Sequence, residues 1–226
     1  MSLEQPRHFS AVYRDLRDID PADKQRLIRV YEEKEELIGR LDPLEYFELT
    51  ILYVDALFAT GAHRRHLLMV DLVIYTSIDQ NIQYVDGEDI YERMLFRKAA
   101  SAFRVHDYPL SEHVSKELIK LYPEEPLYER LLRTARFRQE KPILQFGRAS
   151  AIFGILLTAL VIVIDLLIVK NFYPDEHSAM IWLRNDVFLL GIITLAGCYG
   201  WAFYRSWRSS SQFTQQALSS KRLKNK

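Results

Sequence analysis

The 226 residues carry 30 basic and 30 acidic side chains, so the formal net charge is zero. The charges are unevenly distributed, with 22 basic and 26 acidic residues in 1–148 and 8 basic and 4 acidic residues in 149–226. The acidic first part argues against nucleic acid as a partner, because phosphate binding needs a basic face. The single cysteine, Cys198, excludes a disulfide framework and a thiolate zinc site.

In chain order, the residue pattern predicts helices separated by short turns. Apolar residues recur at helical spacing, Asp-Pro pairs and Gly61 supply end signals, and Asp86-Gly87 is typical of a turn. The first twenty residues have no apolar stretch typical of a signal peptide. No strand is expected. The pattern predicts an all-α fold with cytoplasmic helices at 21–41, 44–60, 63–77, 90–105, 110–122 and 127–139.

Part of this helical region resembles the tetratricopeptide repeat, a motif of paired antiparallel helices. The stretch 106–126 reads HDYPLSEHVSKELIKLYPEEP, with an Asp-Tyr turn and a helix that a proline closes. Residues 49–80 and the Leu-Asp-Pro at 41–43 give two further matches. The resemblance implies turn and packing roles for Gly61, Ala99, Ala102, Phe103, Tyr108, Ser111 and Pro123.

The sequence departs from that repeat in three respects. The first helices lack the Trp and Leu-Gly residues, His66 replaces a small residue, and the last two units are too far apart for a 34-residue period. An unrelated helical bundle is the alternative. The choice bears on function, because a stack of repeats leaves a concave groove suited to a peptide or a partner helix.

Two apolar segments, at 149–169 and 187–204, predict a transmembrane hairpin. The first contains one charge, Asp165, and the second none; a helix of about 20 residues spans the hydrocarbon core. The predicted organisation is a cytoplasmic helical domain (1–140), a basic linker (141–148), the hairpin (149–204, with an outer loop at 170–186) and a basic tail (205–226).

Basic residues flank the hairpin on its two terminal sides, which predicts that both termini are cytoplasmic in an integral protein of a bacterial inner membrane. These residues set topology, and they would also attract anionic headgroups. Aromatic residues at both ends of the spans, Trp182 and Tyr173 among them, fit the same orientation. The candidate topology and lipid residues are Arg133, Arg136, Arg138, Lys141, Arg148, Arg205 and Arg208.

Small residues at four-residue spacing in the spans predict close helix packing, within the hairpin or between subunits of a homo-oligomer. A carboxylate in a span is costly, so Asp165 reaches the interface, or pairs with Lys170 or Arg184, or lines a water-filled path together with its copies in an oligomer. The predicted packing residues are Ser150, Gly154, Thr158, Thr194, Cys198, Ala202, Ala196 and Gly200.

The sequence contains no phosphate loop, GxSxG elbow or HExxH helix, so neither an enzyme nor a cofactor is expected. His63 and His66 share a helix face, and the adjacent arginines favour packing at the surface over metal binding. The favoured function is a membrane-anchored adaptor that binds a cytoplasmic protein partner. The alternative is a membrane effector that oligomerises through its spans; its architecture resembles the two-span effectors of bacterial phage-defence systems.

Overall fold

A computed structural model describes residues 10–85, 87–172 and 177–224. Across these described residues the fold is all-α apart from one short β-hairpin, and the chain divides into two compact units, Met1–Leu132 and Arg133–Lys226. The helices of the first unit are α1 Ala11–Arg17, α2 Lys24–Glu33, α3 Glu35–Ile38, α4 Pro43–Ala59, α5 His63–Asp79, α6 Ile90–Arg104, α7 Tyr108–Leu121 and α8 Pro126–Gln139, which continues into the second unit.

Short polar side chains define where most helices of the first unit begin. The side-chain oxygen of the residue before the helix accepts a hydrogen bond from a backbone N–H of the first turn. This cap is formed at α1, α2, α4, α6 and α7 by Ser10, Asp23, Asp42, Asp89 and Asp107.

Three consecutive helices, α4, α5 and α6, end in the same type of turn. One residue in each turn has a left-handed conformation: Gly61 (φ 77°), Asn81 (φ 52°) and His106 (φ 67°). Its N–H donates to the carbonyl three residues earlier, and the next N–H donates to the carbonyl five residues earlier, at 2.8–3.2 Å. This is the Schellman motif, which satisfies carbonyls at a helix end. The turns at Gly61 and His106 are 45 residues apart.

Two hydrophobic clusters hold the first unit together, and α4 contributes to both. One cluster joins α4 to α1, α2 and α3 around Leu16, Ile38 and Leu57. The other joins α4 to α5 and α6 around Val54, Val70 and Met94. The pairs α4–α5, α5–α6 and α6–α7 make the main contacts after α3, so neighbours in sequence are neighbours in space.

The first forty residues differ from the sequence prediction. Helix α1 was not predicted, and the predicted helix at 21–41 begins only at Lys24, where Asp23 caps it. It is also interrupted at Lys34, between α2 and α3. Four carboxylates lie within residues 32–36, and like charges three or four residues apart disfavour a continuous helix.

A short antiparallel β-hairpin, β1 Tyr84–Val85 and β2 Glu88–Asp89, follows α5. The expectation of no strand is therefore wrong. Of the predicted turn, Gly87 has a left-handed φ of 81°, whereas Asp86 lies outside the described residues. The hairpin segment separates the pair α4–α5 from α6–α7, which accounts for an offset longer than 34 residues.

The second unit contains two helices that are long and apolar enough to span a membrane, Lys141–Val169 and Ser178–Leu223. The first comprises α9 (Lys141–Ile164) and a π-helical segment (Asp165–Val169), and the short helix α10 (Lys170–Phe172) follows. The second is α11 (His177–Lys224), 48 residues long. The segments predicted as linker (141–148), part of the outer loop (177–186) and tail (205–224) are therefore helical, and Tyr173 lies outside the described residues.

Candidate functional site

The helix pairs α4–α5 and α6–α7 place equivalent aromatic residues across their turns. The Phe58 and His63 rings meet edge-on with centroids 5.8 Å apart, and Phe103 and Tyr108 meet edge-on at 5.5 Å. Each member of the second pair of rings lies 45 residues after its counterpart, the same offset that relates the two left-handed turn residues. The two helix pairs are thus built around the same contact.

The residues that the repeat resemblance selected lie mostly in the interior of these pairs. Ala99, Ala102 and Ser111 are fully buried, and Pro123 is buried just after α7 ends. His66 is also fully buried, so its predicted place at the surface is wrong. It lies on one face of α5 with Val70, Val73 and Ser77, all of them buried.

A groove of about 240 Å³ lies between α1, α4 and the β-hairpin. Its floor is apolar, with the buried side chains of Phe47 and Ile51, and two charged residues, Arg17 and Glu48, also line it. We call this surface the α4 groove. Its remaining lining residues are Leu44, Leu52, Ile82, Tyr84 and Val85.

A tyrosine hydroxyl forms a hydrogen bond with the Glu48 carboxylate in the α4 groove. The Tyr13 hydroxyl donates a hydrogen bond to Glu48. Burial, together with this hydrogen bond, raises the pKa of Tyr13 to about 12. Three further tyrosines make the same kind of bond from the first unit's helices, Tyr53 to Glu32, Tyr122 to Asp89 and Tyr128 to Glu92. Of these four bonds, only that between Tyr13 and Glu48 involves a residue that lines the groove, and the other three join segments elsewhere in the first unit.

An ion-pair cluster connects α4 with α6. Asp55 pairs with Arg97 and lies 3.7 Å from Arg93, which also contacts Glu88 at 2.9 Å. Burial raises the pKa of Asp55, and the two guanidinium groups oppose that shift. Arg97 also covers the ring of Phe58, at 5.4 Å from its centroid. The cluster therefore braces the first pair of helices against the second.

His66 is a buried imidazole next to this cluster. Its ring lies 5.4 Å from that of Phe58, and neither nitrogen makes a hydrogen bond within the described chain. Burial, with smaller contributions from Arg97 and His63, lowers the pKa of His66 to about 4. The ring is therefore neutral at pH 7. His63 lies nearby with its Nδ1 at 3.2 Å from Ser101 Oγ.

A second, more polar cleft of about 420 Å³ lies between α2 and the turn after α4. An ion pair crosses this cleft, since Arg65 Nη1 lies 2.6 Å from Glu32 Oε1. Gly61 also lines it, and its left-handed φ explains why the sequence has glycine there. Both partners of this ion pair remain exposed and neutralise each other, and Arg29 is a further charged residue of the lining.

Close helix contacts between α9 and α11 occur at glycines. A Cβ added at Gly147 would lie 2.9 Å from the Cβ of Cys198, and one at Gly154 would lie 3.4 Å from the Cα of Gly191. Gly154 and Cys198 belong to the predicted packing set, whereas Gly147 and Gly191 do not. Gly147 and Gly191 could not be identified from the sequence as contact residues, because neither span alone shows its register relative to the other.

The other predicted packing residues have different surroundings. Ala202 is fully buried, and Ser150, Thr158 and Thr194 bond back to carbonyls of their own helices. In contrast, Ala196 and Gly200 are exposed, and a Cβ added at Gly200 would meet nothing within 4 Å. These two residues therefore take no part in the α9–α11 contact.

Several predicted topology residues make contacts within the second unit. Arg148 donates to the Tyr199 hydroxyl at 2.8 Å, and Arg136 donates to Ser209 Oγ at 2.8 Å. Arg133 lies over the ring of Phe203, and Arg205 lies 3.4 Å from Glu140. Arg138, Lys141 and Arg208 are exposed, as are Arg148 and Arg205.

Asp165 is half-buried and begins the π-helical segment that ends the first candidate span. A π-helical turn within an α-helix is rare and is often found at functional sites. It changes the phase of the helix, so the residues after Asp165 do not continue the face that α9 presents. The charged side chain of Asp165 therefore lies at the residue where the π-helical turn begins.

Across residues 10–85, 87–172 and 177–224, no three His, Cys, Asp or Glu side chains lie together in a way that could hold a metal ion. Family models, curated proteins and solved structures give no match to this chain. The fold defines the class of the protein, an α-helical unit followed in the chain by two candidate membrane spans.

Proposed function

We propose that the protein is a membrane-anchored adaptor, in which the α4 groove binds a protein partner and the α9–α11 hairpin holds the protein in the bilayer. The observation that carries this proposal is the α4 groove, an apolar floor with one cationic and one anionic side chain at its margin. Apolar grooves bind segments of partner proteins through the apolar side chains of those segments.

The membrane part of the proposal is supported by the exposure of the two long helices. Only 17% and 11% of their most apolar windows are buried, whereas the core helix of a soluble protein is mostly buried. Exposed apolar side chains on that scale need a covering, and a bilayer supplies one. The basic residues on both terminal sides of the hairpin support cytoplasmic termini in a bacterial inner membrane.

The equivalent helix pairs support a tetratricopeptide-like arrangement. In such an arrangement the first helix of each pair lines the concave face, where partners bind. Helix α4 is the first helix of its pair, and it supplies five of the residues that line the groove. A short apolar or amphipathic segment with one basic and one acidic residue would match this surface.

The test compares proteins that co-purify with the full-length chain from detergent-solubilised membranes of its host. The groove variants are Leu44→Glu and Tyr84→Glu, because both side chains reach the surface. A matched control is Leu37→Glu, an exposed leucine that does not line the groove. We expect one stoichiometric partner to co-purify with the wild-type protein. The amount of this partner should fall about tenfold or more in each groove variant and stay unchanged in the control.

A partner that remains bound equally well in both groove variants would contradict the groove as its binding site. Wild-type protein that purifies from its host's membranes without any stoichiometric partner would contradict the adaptor function itself. Purification of wild-type protein from the soluble fraction without detergent would contradict the membrane anchor.

A second candidate function is a membrane effector that permeabilises the bilayer. The exposed face of Ala196 and Gly200 favours it, because small residues at this spacing let a neighbouring copy approach closely. In this function Asp165 lines the path between copies. An ion leak on expression, abolished by Asp165→Leu with insertion unchanged, would support the effector; an equal leak from the variant would remove Asp165 from the path.

A further inference from the structure

The outer face of α5 carries a stripe of apolar side chains that no part of the described chain covers. Leu68, Leu72, Tyr75 and Ile78 are 80%, 37%, 70% and 62% exposed. Their spacing of four, three and three residues places them within one sector of the helix surface. The opposite face of α5 is buried against α4 and α6. A helix whose two faces are both apolar is typical of a protein interface.

The stripe has opposite charges at its two ends. Arg64 lies in the first turn of α5 and Asp79 is its last residue, and both are exposed. At about 100° per residue they fall in the same sector as the stripe, about 22 Å apart along the axis. The charge nearest the middle, Asp71, is neutralised by Lys98 at 2.5 Å. The middle of the face therefore carries the apolar stripe and one neutralised ion pair, in which the Asp71 side chain is 59% exposed. One end of the face is positive and the other is negative.

We propose that this face binds a second copy of the same chain, with the two α5 helices antiparallel about a two-fold axis near residues 71 and 72. In this register Arg64 of each copy lies beside Asp79 of the other, and Leu68 lies beside Tyr75. A two-fold interface uses the same patch twice and must be self-complementary. A face with opposite charges at its ends meets that condition only in the antiparallel orientation, because a parallel pair would place like charges together.

One helix face from each copy makes a small interface compared with the 1,200–2,000 Å² typical of stable complexes. Dimerisation through α5 is therefore weak for chains that diffuse freely. Chains held in one membrane meet at a high effective concentration, which favours weak contacts strongly. This inference involves a different surface from the α4 groove, and either one can fail without the other.

Disulfide cross-linking of full-length protein in membranes tests the register. All variants are made in a Cys198→Ser background, which removes the single natural cysteine. In the proposed register, the cysteine of Leu72→Cys lies beside the same residue of the second copy, close to the two-fold axis. The cysteine of Leu68→Cys lies about 10 Å from the same residue of the second copy, measured along the helix axis, which is too far for a disulfide. We expect a dimer from Leu72→Cys about tenfold stronger than from Leu68→Cys. Leu68→Cys should instead link to co-expressed Tyr75→Cys. Glu33→Cys, exposed on α2, is the control for random collision.

A charge exchange tests the pairing without relying on a disulfide geometry. In the Leu72→Cys protein, Arg64→Glu or Asp79→Arg alone places like charges together at both ends of the interface. Each should lower the cross-linked dimer about fivefold or more. The double variant Arg64→Glu/Asp79→Arg restores opposite charges and should restore the dimer. The two positions are too far apart on one helix for a repair within a single chain.

Three results would overturn the proposal. Equal cross-linking of Leu68→Cys and Leu72→Cys would show a parallel or random contact. Failure of the double charge variant to recover would exclude the Arg64–Asp79 pairing. Absence of the Leu72→Cys dimer, with this cysteine protected from a water-soluble maleimide, would assign the face to lipid or to another protein.

Discussion

Alanine at Gly147 tests the close contact between α9 and α11. The new Cβ would lie 2.9 Å from the Cβ of Cys198 and 3.5 Å from its Sγ. Because non-bonded carbons prefer about 3.5–4.0 Å, the helices must separate by roughly 0.6 Å or more. Overpacking of this kind costs about 1–3 kcal/mol, against which alanine gains up to about 1 kcal/mol of helix propensity. We expect a net destabilisation of about 0–2 kcal/mol.

The matched control is Gly200→Ala on the exposed face of α11, where the added Cβ meets nothing within 4 Å. It gains the propensity without the clash, so the two variants should differ by about 1–3 kcal/mol. In a chain of this size that difference corresponds to about 2–12 °C in the midpoint of thermal unfolding, measured by circular dichroism in detergent micelles.

The double variant Gly147→Ala/Cys198→Gly removes the clashing Cβ. It should show a favourable coupling of about 1 kcal/mol or more in a double-mutant cycle. If Gly147→Ala proved as stable as Gly200→Ala and the cycle showed no coupling, the proposed packing of α9 on α11 would be wrong.

Two further predictions concern the first unit. The pKa of His66 is lowered to about 4 in the folded chain, so the unfolded chain binds more protons between about pH 4 and 6.5 and stability falls as the pH falls through that window. His66→Leu should flatten this acid limb in unfolding midpoints measured from pH 7 to 4; an unchanged slope would contradict a buried neutral imidazole. His106→Gly should stabilise the chain by about 0.5–1 kcal/mol in denaturant unfolding, because glycine adopts the left-handed turn without strain, whereas Gly61→Ala should destabilise it by a similar amount. Equal changes in stability for His106→Gly and Gly61→Ala would contradict the left-handed conformation assigned to both residues.

The helices whose ends carry strong local signals could be predicted from the sequence. Helices α4 to α8 lie within a few residues of their predicted bounds, because Asp42 and Asp107 cap α4 and α7, and Gly61 follows the end of α4. Helix α1 was missed because it has only seven residues, three of them charged, which is too short a stretch to show a helical period. In α11, Arg184 and Asp186 suggested a loop, yet charged residues are tolerated wherever a helix is exposed.

Features of the candidate sites depend on contacts that distant segments make. The α4 groove combines α1 with α4 and with a hairpin that was not expected, so no single stretch of sequence contains it. His66 is different, since its burial could have been predicted: it recurs with Val70, Val73 and Ser77 at helical spacing. The adjacent arginines obscured that pattern, because they occupy the next face of the same helix.

The two proposed surfaces belong to different helices of one pair. The α4 groove is lined by the first helix, and the apolar stripe lies on the second, so a partner and a second copy do not compete for the same side chains. A dimer would present two α4 grooves at one membrane. For a partner with two binding segments, or for a partner that is itself a dimer, the second binding event becomes intramolecular, which raises overall affinity without any new contact. Self-association through α5 would therefore strengthen weak binding in the groove, and Arg64→Glu or Asp79→Arg alone should weaken such a partner's retention even though neither residue lines the groove.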